Sequence, residues 1–160
     1  MRFIGCDPGL LSGLVSFSVN DETGEIGSVD HWQLDHIGTA AYFEGCRDIW
    51  KRVGNGGPTD TIVAMESFII TPGTAKKTQA PWSLETIGAV RYFVETSGLS
   101  LRMSAPSAHK KLVSDAVLKN AGLYFRGEGH ATDAARVAVH VAMVDHKMLR
   151  EHLKTEDEER

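Results

Sequence analysis

One hundred and sixty residues, 42% hydrophobic and 24% charged, fit a single globular domain and exclude wholesale disorder. The net charge of −4, from 17 basic and 21 acidic side chains, at first argues against a nucleic-acid partner. No apolar run nears the roughly 20 residues that span a bilayer, so no transmembrane helix is expected.

The first forty residues have the pattern of an antiparallel meander. Phe3 to Asp7 is a short apolar strand closed by the turn signal Asp7-Pro8-Gly9. Gly13 to Val19 is a second strand, Asn20 to Gly24 a second turn, and Ile26 to Leu34 a third strand. From Gly38 to Val53 the apolar spacing becomes helical, and Gly54-Asn55-Gly56-Gly57-Pro58 ends it. Thr61 to Ser67 is a continuous apolar run, the mark of a strand covered on both faces. A polar loop, Thr71 to Pro81, precedes a helix over Ser83 to Thr96 and a strand over Ser100 to Ser104. Ser107 to Asn120 is expected as one helix opened by Pro106, and Ala131 to about Leu153 as one long, small-residue-rich helix. The order predicts an α/β fold, a mixed sheet with helices on both faces. Residues 1–153 form the expected single domain, and 154–160 an acidic, flexible tail.

Cys6 and Cys46 form neither a disulfide framework nor a metal-ligand spacing, and Met1 to Asp7 lacks the pattern of a secretory leader. A reducing, cytoplasmic setting is the expectation. The charge is also unevenly spread. Residues 1–70 carry 4 basic and 10 acidic side chains, residues 71–126 carry 8 and 3, and residues 127–160 carry 5 and 8. A polyanion responds to the local field of a patch, so the basic middle is compatible with DNA or RNA.

Three acids stand where hydrophobic patterning would not place them. Asp7 closes a buried strand, sharing a face with Phe3 and Gly5, although Asp-Pro-Gly is also good turn chemistry. Glu66 leaves the end of an interior strand, where a lone carboxylate is costly unless a cation or a hydrogen-bond donor meets it, a salt bridge to a nearby Lys or Arg being the plain alternative. His130 and Asp133, three apart, open the last helix and point to one side. There Asp133 could equally serve the helix dipole or pair with Arg136. One explanation covers all three acids. Gathered carboxylates repel unless divalent cations neutralise them, and two such ions about 4 Å apart can assist phosphodiester cleavage by water. The remaining histidines, among them His31, His36, His140, His146 and His152, show no zinc-ligand spacing.

The motifs that carry these residues are Ile4-Gly5-Cys6-Asp7-Pro8-Gly9 with Gly13 and Val15 following, Val63-Ala64-Met65-Glu66, and His130-x-x-Asp133. In order, spacing and setting they resemble the RuvC-like Holliday junction resolvases of the RNase H-like superfamily, over about residues 3 to 145 and most like the compact bacteriophage members. The resemblance implies an RNase H-like fold, with a five-stranded mixed sheet whose first three strands are antiparallel. It implies a divalent-metal-dependent endonuclease cutting branched DNA such as four-way junctions, and further branched forms such as forks and flaps. Asp7, Glu66 and Asp133 would be metal ligands. His130 would be a further ligand, more comfortable with Mn²⁺ than Mg²⁺, or a group that positions or deprotonates the water. Two Mg²⁺ ions, or Mn²⁺ in their place, are the implied cofactors.

The family also stacks an aromatic residue on a base shortly after the strand-end Glu. Phe68 is near that position but one residue out of register, and stays a candidate DNA contact. Lys76, Lys77, Lys110, Lys111 and Arg126 are the candidate phosphate contacts of the basic middle. The family dimerises through the helix here expected over Trp82 to Thr96, whose apolar content exceeds one buried face. A homodimer follows, suited to symmetric cutting. The competing readings are an RNase H-like ribonuclease on RNA or hybrids, a non-catalytic nucleic-acid-binding module, and a phosphate-binding domain of the sugar-kinase and actin type. The last needs a second lobe for which 160 residues leave no room.

Overall fold

The computed structural model describes residues 1–35, 44, 45, 47, 48, 60–67 and 80–158. Five strands, β1 (Arg2–Asp7), β2 (Leu11–Val19), β3 (Ile26–Asp35), β4 (Thr61–Glu66) and β5 (Ser100–Ser104), form one sheet in the order β3-β2-β1-β4-β5. The first three are antiparallel neighbours, whereas β4 pairs parallel with β1 and β5 parallel with β4. This is the mixed sheet the sequence predicts. Of the helix expected over 38–53, the described residues 44, 45, 47 and 48 are helical and the rest lies outside the described residues. Phe68, and Lys76 and Lys77 of the loop expected over Thr71 to Pro81, lie outside them as well, while Ala80 and Pro81 already belong to the next helix.

Side-chain alternation divides the core in two. Ile4, Cys6, Leu14, Val63 and Met65 pack on one face against Val90 and Val94 of helix α1 (Ala80–Ser97). Phe3, Val15, Phe17 and Ala64 pack on the other against α4 (Gly129–Asp145), supported by Leu118 of α3 (Asp115–Asn120) and Leu149 of α5 (Lys147–Glu158). Because β1 alternates, Asp7 shares the α4 face with Phe3 and Gly5.

Helix α4 is buried almost all round through Ala131, Thr132, Ala134, Ala135, Val137, Ala138 and Val139. Small side chains let it lie close on the sheet, and two strand glycines complete the approach. A Cβ at Gly5 would stand 2.1 Å from Ala134 O, and one at Gly13 would stand 1.8 Å from His130 O. Neither position has room for a side chain.

Two expected helices are each broken. Ser107 to Asn120 divides into α2 (Pro106–Leu112) and α3, because Val113 turns extended and the Ser114 hydroxyl caps the next helix by accepting from Val117 N. The long last helix stops at Asp145. His146 is extended, its Nδ1 accepts from Leu149 N, and its Nε2 meets Asp21 Oδ1 at 3.2 Å, which starts α5 in a new direction.

Candidate active site

Asp7 sits on the last residue of β1, opposite Gly13 of β2. The turn after it is closed from both sides, as Gly9 N donates to Ser12 Oγ and Ser12 Oγ donates to Gly9 O. Ser83 of α1 also donates to Pro8 O at 3.1 Å, so a helix on the opposite face of the sheet holds the same turn. The turn chemistry of Asp-Pro-Gly and the directed carboxylate are thus both present. Glu66 ends β4, the strand next to β1, level with Ser104 of β5. His130 lies in the first turn of α4 and Asp133 one turn further along, and Gly13 admits this end of the helix to the strand end. The backbone N of His130 donates to Gln33 Oε1 at 3.1 Å, tying the helix start to β3.

Asp7, Glu66, His130 and Asp133 line one open cleft of about 350 Å³, together with Ser83 and the turn after β1. Residues separated by more than 120 positions in the chain therefore share one wall, as the sequence reading requires. His130 Nδ1 lies 2.9 Å from Asp7 Oδ2. Burial raises the Asp7 carboxyl above its ordinary value; the His130 hydrogen bond opposes that, and the nearby Glu66 and Asp133 charges add to it. The same hydrogen bond raises the His130 imidazole, against the effect of burial and with the help of the Asp7 and Asp133 charges. A buried carboxyl raised further by neighbouring acids marks a site with an excess of negative charge.

Each acid also has a local partner. Asp7 has His130, Asp133 is ion-paired with Arg136, and Glu66 Oε2 lies 3.1 Å from His109 Nε2. Arg136 is held in turn by Asp115 and by Val113 O, to which its Nε donates at 3.0 Å. The sequence allowed for the Asp133–Arg136 pair. For Glu66 it offered a Lys or an Arg, and the partner is a histidine from α2. Among the described residues, no three His, Cys, Asp or Glu side chains are gathered as ready-made ligands of one ion. The donor set still suits a hard divalent cation: three carboxylates and one imidazole on a shared cleft, with Asp7 raised first by burial and then by the nearby Glu66 and Asp133 charges.

Lys110 and Lys111 are exposed on α2. Arg126 is exposed in the loop before α4, and that loop is ordered by its neighbours. Thr132 Oγ1 donates to Phe125 O and accepts from Phe125 N, while the Phe125 ring stacks on His31 at 3.9 Å.

Neither a family model nor a curated protein sequence matches the chain. Solved structures match it over nearly its whole length. Thermus thermophilus RuvC in complex with Holliday junction substrate is 16% identical with a TM-score of 0.69, covering 93% of this chain and 98% of that one. The Fowlpox virus resolvase with Holliday junction DNA is 11% identical with a TM-score of 0.58, covering 90% and 98%. The chain therefore has the RNase H-like fold of the RuvC and poxvirus Holliday junction resolvases.

Proposed function

We propose that this protein is a divalent-metal-dependent endonuclease that hydrolyses phosphodiester bonds in branched DNA, with four-way junctions as its principal substrate and forks and flaps as further ones. The observation that carries the proposal is the single cleft lined by Asp7, Glu66, His130 and Asp133, on a fold also used by proteins solved with junction DNA.

In this reading Asp7, Glu66 and Asp133 are the ligands of Mg²⁺ or Mn²⁺, two ions per site, and His130 is a fourth ligand or the group that orients water. Bound divalent ions would lower the pKa of water and stabilise the attacking and leaving oxygens. The chain supplies the rest. Strand ends fix Asp7 and Glu66 at their backbones, and the close seat of α4 on Gly13 fixes His130 and Asp133 relative to them. His130 keeps one nitrogen on Asp7, which leaves its Nε2 as the second polar atom of the ring. Arg136 keeps Asp133 from swinging away from the helix start.

Lys76, Lys77, Lys110, Lys111 and Arg126 bind backbone phosphates in this reading, and Phe68 is a further DNA contact. The protein acts as a homodimer through α1, where Leu84 and Tyr92 are 45% and 66% exposed on one stripe. Residues 1–153 act as one domain, and the acidic end expected as a tail over 154–160 continues the last helix as far as Glu158. No described helix is long and apolar enough to cross a membrane.

The test is cleavage of a synthetic four-way junction, each strand end-labelled in turn, with and without Mg²⁺. Paired, symmetric, Mg²⁺-dependent nicks that leave 5′-phosphates support the proposal. Cleavage of an RNA–DNA hybrid with the junction left intact contradicts it and favours a ribonuclease.

A further inference from the structure

A line of polar side chains runs from Glu66 through buried His109 and Ser104 to half-buried His140. His109 of α2 is fully buried, at 0% exposure. Its Nε2 is 3.1 Å from Glu66 Oε2, but off the axis along which an N–H donates, so it makes no aligned hydrogen bond among the described residues. At that distance only the angle has to close. On the other side of the ring, Nδ1 is 3.2 Å from Ser104 Oγ. The same hydroxyl is 3.1 Å from Nδ1 of His140, a half-buried residue of α4. Ser104 stands level with Glu66 in the β4–β5 ladder, so the sheet register places the hydroxyl beside the strand-end acid.

With His109 neutral, proton counting gives one polarity. The Ser104 hydroxyl has one proton, so it donates to one Nδ1 and accepts from the other. A carboxylate only accepts, so a neutral His109 must carry its proton on Nε2 to bind Glu66. Ser104 then donates to His109 Nδ1 and accepts from Nδ1–H of His140. The reverse polarity would set a bare lone pair against a carboxylate oxygen. Burial, with His109 close by, holds His140 below the ordinary imidazole value, which keeps it in the neutral form this arrangement needs.

We infer that His109 is the positioning residue of Glu66: its Nε2–H holds one carboxylate oxygen, and the Ser104–His140 pair holds the ring. The inference rests on the metal-dependent reading of the cleft, since it concerns how Glu66 is presented as a ligand.

Two measurements on the full-length protein test it. Long-range proton–nitrogen NMR correlations on metal-free protein report each tautomer directly. Nε2–H on His109 supports the assignment, and a His109 ring protonated on Nδ1 alone overturns it. The second measurement is Mn²⁺ affinity by electron paramagnetic resonance, without DNA. His109→Ala weakens Mn²⁺ binding roughly tenfold or more, the usual cost of removing a hydrogen bond behind a ligand. His109→Gln, whose amide still donates, recovers most of that loss. Ser104→Ala leaves His109 in place but frees its ring, so it weakens binding less, and it serves as the test if His109→Ala does not fold. Unchanged Mn²⁺ affinity in these variants overturns the positioning role. Absence of Mn²⁺ binding by the wild-type protein overturns the reading of the cleft instead, while the tautomers are still decided by the spectrum.

Discussion

Gly13 of β2 and His130 of α4 touch so closely that no side chain fits between them: a Cβ on Gly13 would lie 1.8 Å from the His130 carbonyl oxygen. Gly13 is also the ladder partner of Asp7. The contact therefore sets how far the start of α4 stands from the strand end, and with it the relation of His130 and Asp133 to Asp7. Gly13→Ala forces backbone apart, and overpacking of this kind costs about 1–3 kcal/mol or more. Urea denaturation should show that loss, and junction cleavage should fall further than stability does. A variant as stable and as active as the wild type would contradict this role.

Lys110 and Lys111 follow the buried His109 and are both exposed. If both neutralise phosphates, replacing them with Ala should weaken junction binding and make the slope of log affinity against log salt shallower by about two units. Fluorescence anisotropy across a salt series measures this. An unchanged slope would return both lysines to the solvated surface.

The His140 imidazole is held below the ordinary histidine value of 6.5, first by burial and then by His109. The unfolded chain therefore takes up a proton at this residue more readily than the folded chain does. The contribution of His140 to stability is complete above pH 6.5 and is lost as pH falls through 6.5 toward the folded midpoint. An NMR titration should give a midpoint below 6.5, and His140→Asn should flatten that part of the stability–pH curve. A midpoint at or above 6.5 would contradict the environment described.

On α1, Leu84 and Tyr92 are exposed and flank Gly88, whose missing side chain leaves open space. This stripe faces away from the Val90 and Val94 side that packs on the sheet. Light scattering at micromolar concentration should show a dimer, and Leu84→Glu with Tyr92→Glu should give a folded monomer. A monomeric wild-type protein would count directly against the interface.

Much of this architecture was legible in the sequence because it rests on local pattern. Alternation in β1 placed Asp7 on the face of Phe3 and Gly5, and the unbroken apolar run of β4 marked an interior strand ending in Glu66. The His130–Asp133 spacing placed both residues at one helix start. The helix breaks were not legible in the same way. The Ser114 cap lies inside apolar spacing that continues helically, with no Gly or Pro to mark it. His146 breaks its helix with help from Asp21, a contact 125 residues away in sequence. His109 was missed for a related reason. Its value comes from the register that sets Ser104 beside Glu66, and no spacing within Pro106-Ser107-Ala108-His109 announces it. A buried strand-end Glu signals that a partner exists but not which side chain supplies it.

The most direct test compares wild type with Asp7→Asn on one labelled four-way junction, measuring binding by mobility shift without divalent ion and cleavage after Mg²⁺ is added. The substitution keeps the shape of the side chain and removes its charge. The account predicts junction binding close to wild type with cleavage abolished. Cleavage by Asp7→Asn at the wild-type rate would contradict it.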